Sequence, residues 1–140
     1  MSHANVQAVL GALRALSDAD LEAYVEAHHP DYVNHEASHG HLRGADAARN
    51  TAAFLHGAFD ELRLEPLETI AERDLVVVRV QFSGRQVGEL DGFPPSDRTC
   101  SVQHVHIYRV TDGRLSEHWA CRDDLGAARQ LGLLHTAAMS

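Results

Sequence analysis

Apolar residues recur every three or four positions in the first part of the chain. Val6, Val9, Leu10, Leu13 and Leu16 show this spacing, which is typical of one face of a helix. Three helices are predicted before residue 60, with a loop over 31–44. The first spans Ser2–Leu16 and the third Ala45–Phe59. The second begins at a cap formed by Ser17 or Asp18 and ends at Pro30.

From residue 62 onward, apolar and polar residues alternate with the period of a β-strand. Pro66 indicates an edge or a bulge in the first strand. Helices followed by antiparallel strands predict an α+β fold, with the helices on one face of the sheet, in a single domain over 1–140. The predicted strands are Leu62–Ile70, Leu75–Phe82, Gln86–Leu90, Thr99–Val110 and Arg114–Arg122, and the predicted closing helix is Asp124–Leu131.

The last two predicted strands form a hairpin, because Asp112-Gly113 suits a type I′ turn. If Thr111 lies opposite Arg114, the numbers of paired residues add up to 225. A single β-bulge would exchange the two faces beyond it. Without one, a single face carries Val102, His104, His106, Tyr108, Trp119, Cys121 and Asp123.

This face combines aromatic area with groups that exchange protons, which is typical of a small-molecule pocket. We expect its carboxylate, Asp123, to face a ligand-sized pocket. Other interpretations stay open: Asp123 or Asp124 can be the N-cap of the closing helix, and Trp119 can be a core residue. A strand histidine is also more often a hydrogen-bonded core or surface residue than a catalyst.

Charge and composition narrow the classes of partner. The chain has 140 residues, 44% of them hydrophobic, and a net charge of −8. Without a cluster of Lys and Arg, this charge argues against nucleic acid or an anionic membrane as a partner. With no apolar run of about 18 residues and no signal-peptide pattern, the expected location is the cytoplasm.

Cysteine and histidine do not indicate a metal or a disulfide scaffold. Cys100 and Cys121 are too few for such a scaffold. Six of the eleven histidines fall between residues 28 and 56. His35, His39 and His41 lie in a predicted loop with no repeat to direct them at one ion, so neither a metal nor another cofactor is predicted.

Three segments resemble a known family. Gly88–Pro95 is similar to the G-x-x-x-G-x-P-P loop of SnoaL-like polyketide cyclases, Ile107–Trp119 to their I-Y-R-x-x-D-G-R-I-x-E-H-W strand pair, and Asp123–Gly132 to their D-x-L-G and R-Q-L-G. The match covers roughly residues 24 to 134. It implies a nuclear-transport-factor-2-like (cystatin-like) fold, in which helices wrap a curved antiparallel sheet into a cone with an internal pocket. It also implies a homo-oligomer, a dimer or tetramer, that packs through the outer face of the sheet.

The resemblance also implies roles for particular residues. In the family, an aspartate four residues after the tryptophan is the general acid/base of an intramolecular aldol closure, and Asp123 has that position. His106 lies where many members carry a strand histidine near this aspartate. Tyr32, Asn34 and His35 match the family's Y-V-x-H, whose polar side chains line the mouth of the pocket.

Further substrate contacts are expected around these residues. Trp119 and Phe54 are candidates for stacking on a flat aromatic substrate. His104 and Cys121 are additions that the family pattern does not contain, and Ser96-Asp97-Arg98 replaces its Thr-Gly-Arg. The substrate-binding set is therefore Tyr32, Asn34, His35, Phe54, His104, Trp119 and Cys121.

The favoured function is cofactor-independent ring closure of an aromatic polyketide, with Asp123 and His106 as catalytic residues. One alternative is an epoxide hydrolase or isomerase on the same scaffold. Epoxide opening in that group uses two carboxylates that bracket an arginine, of which the sequence indicates only Asp123. The other alternative is a protein that binds a hydrophobic or aromatic small molecule without chemistry, because a fold does not fix a function.

Overall fold

Within residues 2–37 and 42–134, which the computed structural model describes, the chain forms four helices and five strands. No helix in these ranges is long and apolar enough to cross a membrane. In chain order the elements are α1 (Ser2–Ser17), α2 (Leu21–Glu26), β1 (His28–Asn34), α3 (Gly44–Ala58), β2 (Phe59–Glu72), β3 (Leu75–Gln86), β4 (Thr99–Thr111), β5 (Arg114–Arg122) and α4 (Asp124–Leu131).

The strands form one sheet in the order β1-β5-β4-β3-β2, and the helices pack on it. α1 packs mainly on β2, and α3 on β1. Small residues of α3, such as Ala48 and Ala52, are buried and allow this close approach. Val76, Val78 and Val80 of β3 lie under the helices with no exposed surface. The predicted α+β architecture is confirmed.

β1 was not predicted, because its residues fall in the predicted helix end and loop. It lies at the sheet edge and pairs in parallel with β5, with an irregular register between His28 and Val33. Pro30 is tolerated inside this irregular edge strand, where a missing N–H breaks no continuous ladder. The other neighbouring strands are antiparallel, as predicted.

The short strand predicted at Gln86–Leu90 is wrong. Gln86 ends β3, and beyond it the chain makes only an isolated bridge between Leu90 and Phe93. The side chain of Gln86 is fully buried, and its amide nitrogen donates to the carbonyls of Gly88 and Pro94, both at 3.1 Å. This amide therefore replaces strand pairing in holding the loop.

The turn between β4 and β5 has the predicted conformation, since Asp112 and Gly113 have φ angles of 51° and 77°. The register that adds up to 225 lasts only as far as Val110 and Leu115. Ser116 is an extra residue, a β-bulge, after which Arg109 pairs with Glu117. Its hydroxyl donates to the Arg109 carbonyl at 3.2 Å.

The predicted faces of β5 are wrong beyond Ser116, because the bulge shifts the pairing by one residue. His106 lies opposite Ala120 instead of Trp119, and His104 opposite Arg122 instead of Cys121. The buried face of β5 therefore carries His118, while Trp119 and Cys121 lie on the outer face. The inner side chains of the hairpin are His104, His106, Tyr108, Leu115, His118, Ala120 and Arg122.

Deleting Ser116 tests the bulge. Because Ser116 is the surplus residue, its removal leaves Glu117 opposite Arg109 and His118 opposite Tyr108, so the side chains beyond it keep their faces. We expect the free energy of unfolding in urea to fall by only about 1 kcal/mol, from the lost hydroxyl. Ser116→Ala removes the same hydroxyl and should lose a similar amount. A loss of about 3 kcal/mol or more in the deletion variant alone contradicts the bulge, because in a strand without a bulge the deletion would turn every residue beyond it to the other face.

Candidate functional site

Three buried imidazoles form a chain on the inner face of β4 and β5. Nδ1 of His118 lies 2.7 Å from Oδ1 of Asn34, and Nε2 of His118 lies 2.8 Å from Nδ1 of His106. Nε2 of His106 in turn lies 3.2 Å from Nδ1 of His104. Alternation along the strands places these rings on one face, and the bulge at Ser116 brings His118 to that face.

The inner end of the chain is fixed by Asn34, the last residue of β1. Its amide nitrogen donates to Thr51 Oγ1 on α3 at 3.3 Å, and its amide oxygen accepts from the backbone N–H of Glu36 at 3.0 Å. Thr51 itself donates to the Ala47 carbonyl. Asn34 therefore joins β1, β5 and α3 at one buried point.

Aromatic contacts hold the imidazoles in place. His104 stacks on Phe82 of β3, with ring centroids 4.8 Å apart and 15° between the planes. His118 stacks on Tyr108, with centroids 4.7 Å apart. These contacts leave little room for the rings to rotate, so the hydrogen-bond chain is preorganised.

Burial keeps the three imidazoles neutral. It lowers the pKa of His104 to about 4 and that of His106 to about 3, and it lowers the pKa of His118 well below 6.5. The Arg122 guanidinium lowers each of these pKa values further, and so does repulsion between neighbouring rings in His106 and His118. At neutral pH the three rings are therefore uncharged.

Charged side chains surround the outer end of the chain, which we call the mouth: Glu36, Arg122, Asp123 and Asp124. The Arg122 guanidinium lies 3.5 Å from an Asp124 oxygen and 4.0 Å from a Glu36 oxygen. Both aspartates favour the protonated form of His104, since their charges raise its pKa. The mouth therefore places charges of both signs beside His104: Arg122 opposes a proton on that ring, and the two aspartates favour it.

Asp123 is the N-cap of α4. Its Oδ1 accepts from the N–H of Gly126 at 2.8 Å, and the residue is exposed. The prediction that it shares the inner strand face with His104 and His106 is wrong, because β5 ends at Arg122. The alternative that Asp123 caps the closing helix is confirmed.

A cluster of stacked and charged side chains on the outer face of the sheet contains two of the predicted site residues, His35 and Trp119. His35 stacks on Trp119, with ring centroids 4.8 Å apart and 9° between the planes, and its Nε2 lies 2.9 Å from Glu117. Arg109 donates to Glu117 at 2.8 Å and to both oxygens of Asp74. The structure therefore places His35 and Trp119 across the sheet from the imidazole chain.

The remaining predicted contacts are also dispersed. Cys121 is exposed on the outer face, and Phe54 is 48% exposed on α3. Tyr32 is buried, with its ring centroid 4.4 Å from that of His28. Of the predicted substrate-binding residues, only Asn34 and His104 belong to the imidazole chain.

Sequence reasoning missed His28, His118 and Arg122. The straight register leaves His118 and Arg122 on the opposite face, because it contains no bulge at Ser116. His28 is buried, and its Nδ1 donates to the Tyr24 carbonyl at 2.6 Å. Its Nε2 has no hydrogen-bond partner among the described residues, and burial lowers its pKa to about 4. No local pattern marks His28, because its strand was not predicted.

Two cavities lie elsewhere on the surface. One, of about 460 Å³, separates α1 from β2. The other, of about 340 Å³, is a largely apolar groove between α1, α2 and α3 that includes Leu21, Tyr24 and His56. Neither is lined by Asp123, His104 or His106, so neither is the predicted pocket.

The described residues contain no group of three His, Cys, Asp or Glu side chains that could hold a metal ion. Within the chain, the nitrogens of His106 and His118 face other protein groups. His39 and His41, which were considered with His35 as metal ligands, lie outside the described residues. The chemistry that this arrangement offers is proton transfer.

Comparison with known proteins identifies the family. The sequence model described as SnoaL-like polyketide cyclase matches residues 7–131. Nogalonic acid methyl ester cyclase from Streptomyces nogalater is 35% identical over 115 residues, which cover 81% of this chain and 84% of the relative. Aklanonic acid methyl ester cyclase AcmA from Streptomyces galilaeus is 30% identical over 129 residues, 91% of this chain and 90% of the relative.

A solved structure agrees with these sequence matches. TsrD from Streptomyces laurentii has a TM-score of 0.86 and 32% identity, over 96% of this chain and 99% of its own. The match of the family's sequence model over most of the chain, together with this shared fold, shows that the chain belongs to the SnoaL-like polyketide cyclase family.

Proposed function

We propose that this protein closes a ring in an aromatic polyketide ester by an intramolecular aldol reaction, without a cofactor, and that the proton moves at the mouth. The observation that carries the proposal is the chain of neutral imidazoles that runs from Asn34 to the mouth. A neutral imidazole nitrogen without a proton has a lone pair that can remove a proton next to a carbonyl. Membership of a family of polyketide cyclases supports the same class of reaction.

The reaction needs one group to remove a proton and return it. A base takes the proton from the carbon next to a carbonyl, and the resulting enolate carbon attacks a second carbonyl of the same molecule. The new carbon–carbon bond leaves an alkoxide, which takes a proton back from the protonated base. No electrons are exchanged with the protein, so no redox cofactor is required.

The enolate oxygen needs a stabilising donor or cation. Of the residues predicted for the site, His104, His106, Asn34 and Tyr32 carry groups that can donate a hydrogen bond. Both nitrogens of His106 face other imidazoles, and the Asn34 amide bonds to Thr51, His118 and Glu36. Arg122 is the cation beside His104 on the inner face, and we infer that it stabilises the developing negative charge.

The substrate class follows from the relatives. Two of them are named for nogalonic acid methyl ester and aklanonic acid methyl ester. We infer a substrate of this kind, a polyketide acid carried as its methyl ester, for this chain. The apolar group next to His104 is Phe82, whose ring stacks on the imidazole.

Epoxide hydrolysis is the second candidate, favoured by one observation. Two carboxylates, Glu36 and Asp124, bracket Arg122, which is the arrangement that this reading requires. Asp124 is 77% exposed, however, and ion pairs in water are weak. This candidate predicts hydrolysis of an epoxide and no ring closure, which product analysis separates.

The homo-oligomer and the cytoplasmic location stay predictions. Ile70 of β2 and Val105 of β4 are 64% and 38% exposed. They support self-association through exposed apolar residues of the sheet.

Asp123→Asn tests the role of the mouth. Asparagine caps a helix as well as aspartate does, so this change removes the charge and keeps α4. We expect turnover of aklanonic or nogalonic acid methyl ester to fall by about threefold to tenfold, because the charge no longer favours proton uptake. A fall between about a hundredfold and ten-thousandfold supports the sequence prediction that Asp123 is itself the general base.

The matched control is Asp112→Asn in the hairpin turn, where Asn-Gly suits the turn as well as Asp-Gly does. It should leave turnover unchanged. Unchanged turnover in Asp123→Asn argues against a catalytic role for this carboxylate. Tight binding of both esters by the wild type, with no product, favours the non-catalytic alternative.

Stability should depend steeply on pH, because His28, His104, His106 and His118 all have lowered pKa values in the folded protein. Below 6.5 the unfolded chain binds more protons, so stability is fully present above 6.5 and is lost as the pH falls toward 4. Each group contributes at most about 1.4 kcal/mol per pH unit, so the four together contribute at most about 5.4 kcal/mol per unit.

Urea unfolding between pH 7 and pH 5 measures this loss. The variant His28→Phe keeps an aromatic ring between Tyr24 and Tyr32 and removes one of the four groups, so its slope should fall by about a quarter. Equal stability at pH 7 and pH 5 in the wild type is incompatible with four buried neutral histidines.

A further inference from the structure

The outermost imidazole of the chain has a nitrogen that the chain itself does not use. Nδ1 of His104 faces His106, whereas Nε2 of His104 makes no hydrogen bond among the described residues. We propose that His104 is the residue that takes up and returns the substrate's proton through Nε2, and that Asn34 holds this nitrogen unprotonated through His118 and His106. This inference rests on the proposed ring closure.

The orientation of the Asn34 amide is the starting point. The backbone N–H of Glu36 is only a donor, so the Asn34 atom 3.0 Å from it must be the oxygen. The amide nitrogen then donates to Thr51, whose own hydroxyl proton is used on the Ala47 carbonyl. The oxygen also faces Nδ1 of His118 at 2.7 Å, so Nδ1 of His118 carries a proton.

This proton determines, ring by ring, which imidazole nitrogen is protonated. A neutral imidazole has one N–H, so Nε2 of His118 is an acceptor and must receive a proton from Nδ1 of His106. Nε2 of His106 is then an acceptor for Nδ1 of His104. His104 has used its only proton, and its Nε2 presents a lone pair. No ring can adopt the other tautomer unless the whole chain changes.

His104 is therefore placed as the base, and His106 as a positioning residue. Both nitrogens of His106 face other imidazoles, so the sequence prediction that His106 is catalytic does not fit direct contact with a substrate. The Nε2 atom of His104 has no such partner. Stacking on Phe82 fixes the plane of its ring.

The charges that face His104 come from two elements. Arg122 of β5 opposes protonation of the ring, and Asp123 and Asp124 at the start of α4 favour it. Phe82 of β3 contributes no charge. Burial and Arg122 outweigh the aspartates, so the ring is neutral before the reaction, and the two aspartates lie where they stabilise the charge that it gains with the proton.

The proton is conserved in the step. The bond between hydrogen and the substrate carbon breaks, the electron pair stays on carbon as the enolate, and an N–H bond forms at Nε2 of His104. The protonated ring still donates through Nδ1 to His106. After the enolate carbon has attacked the second carbonyl, Nε2 returns the proton to the alkoxide and His104 is neutral again.

The first test replaces the base. His104→Gln keeps a side-chain amide that can still donate to His106, and it cannot take a proton. We expect kcat for aklanonic or nogalonic acid methyl ester to fall by at least a hundredfold with KM changed less than threefold. The control His3→Gln makes the same change at an exposed histidine of α1 and should match the wild type.

The second test acts on the far end of the chain. Asn34→Asp keeps the acceptor for His118 and adds a negative charge. A proton taken up at His104 can pass from ring to ring to His118, where it lies against this charge. The acid limb of the kcat/KM profile should therefore move to higher pH by about one unit or more. Asn34→Leu removes the acceptor and should lower kcat.

The outcomes distinguish failure of the proposed ring closure from failure of His104 as the base. If the wild type converts neither ester, the proposed function fails and this inference fails with it. If the wild type is active and His104→Gln keeps turnover within threefold, only this inference is overturned. If His104→Gln does not fold, Asn34→Asp decides: a moved acid limb supports the relay, and an unmoved one overturns it.

Discussion

The hydrogen bond between Nδ1 of His118 and Oδ1 of Asn34 is the contact on which the candidate site depends. It is 2.7 Å long and lies where β1, β5 and α3 meet. Because the amide oxygen can only accept, Nδ1 of His118 must carry a proton. Each neutral ring has one N–H, so this proton also determines the tautomers of His106 and His104. Burial supports it, since the low pKa values of the rings exclude a charged ring that could donate from both nitrogens.

The contact exists because of the β-bulge at Ser116. With a straight register, His118 would lie on the outer face and Glu117 would be buried opposite Tyr108. The extra residue turns Glu117 outward to Arg109, where the ion pair is 2.8 Å long, and turns His118 inward. The extra residue therefore has two effects: it keeps the Glu117 carboxylate out of the core, and it places His118 next to His106.

Much of the fold could be predicted from the sequence because periodicity is a local property. α1, α3, α4 and the type I′ turn at Asp112 follow from spacing and turn chemistry alone. β1 could not be predicted, because its pairing partner β5 lies about eighty residues away in the chain. The bulge did leave a signal: the straight register placed the Glu117 carboxylate opposite Tyr108, on the face that was expected to line the pocket. The sequence alone could not assign the role of Asp123, since a carboxylate before a helix fits a cap and a catalyst equally well.

Asn34 fixes the tautomers of three histidines through hydrogen bonds in series. Nitrogen-15 NMR of the imidazole side chains at neutral pH measures these tautomers directly, because the chemical shift and the couplings show which ring nitrogen carries the proton. The account predicts that His104, His106 and His118 are all protonated at Nδ1, with Nε2 of His104 unprotonated. A proton on Nε2 of His104, or a charged ring in the chain at that pH, would contradict it.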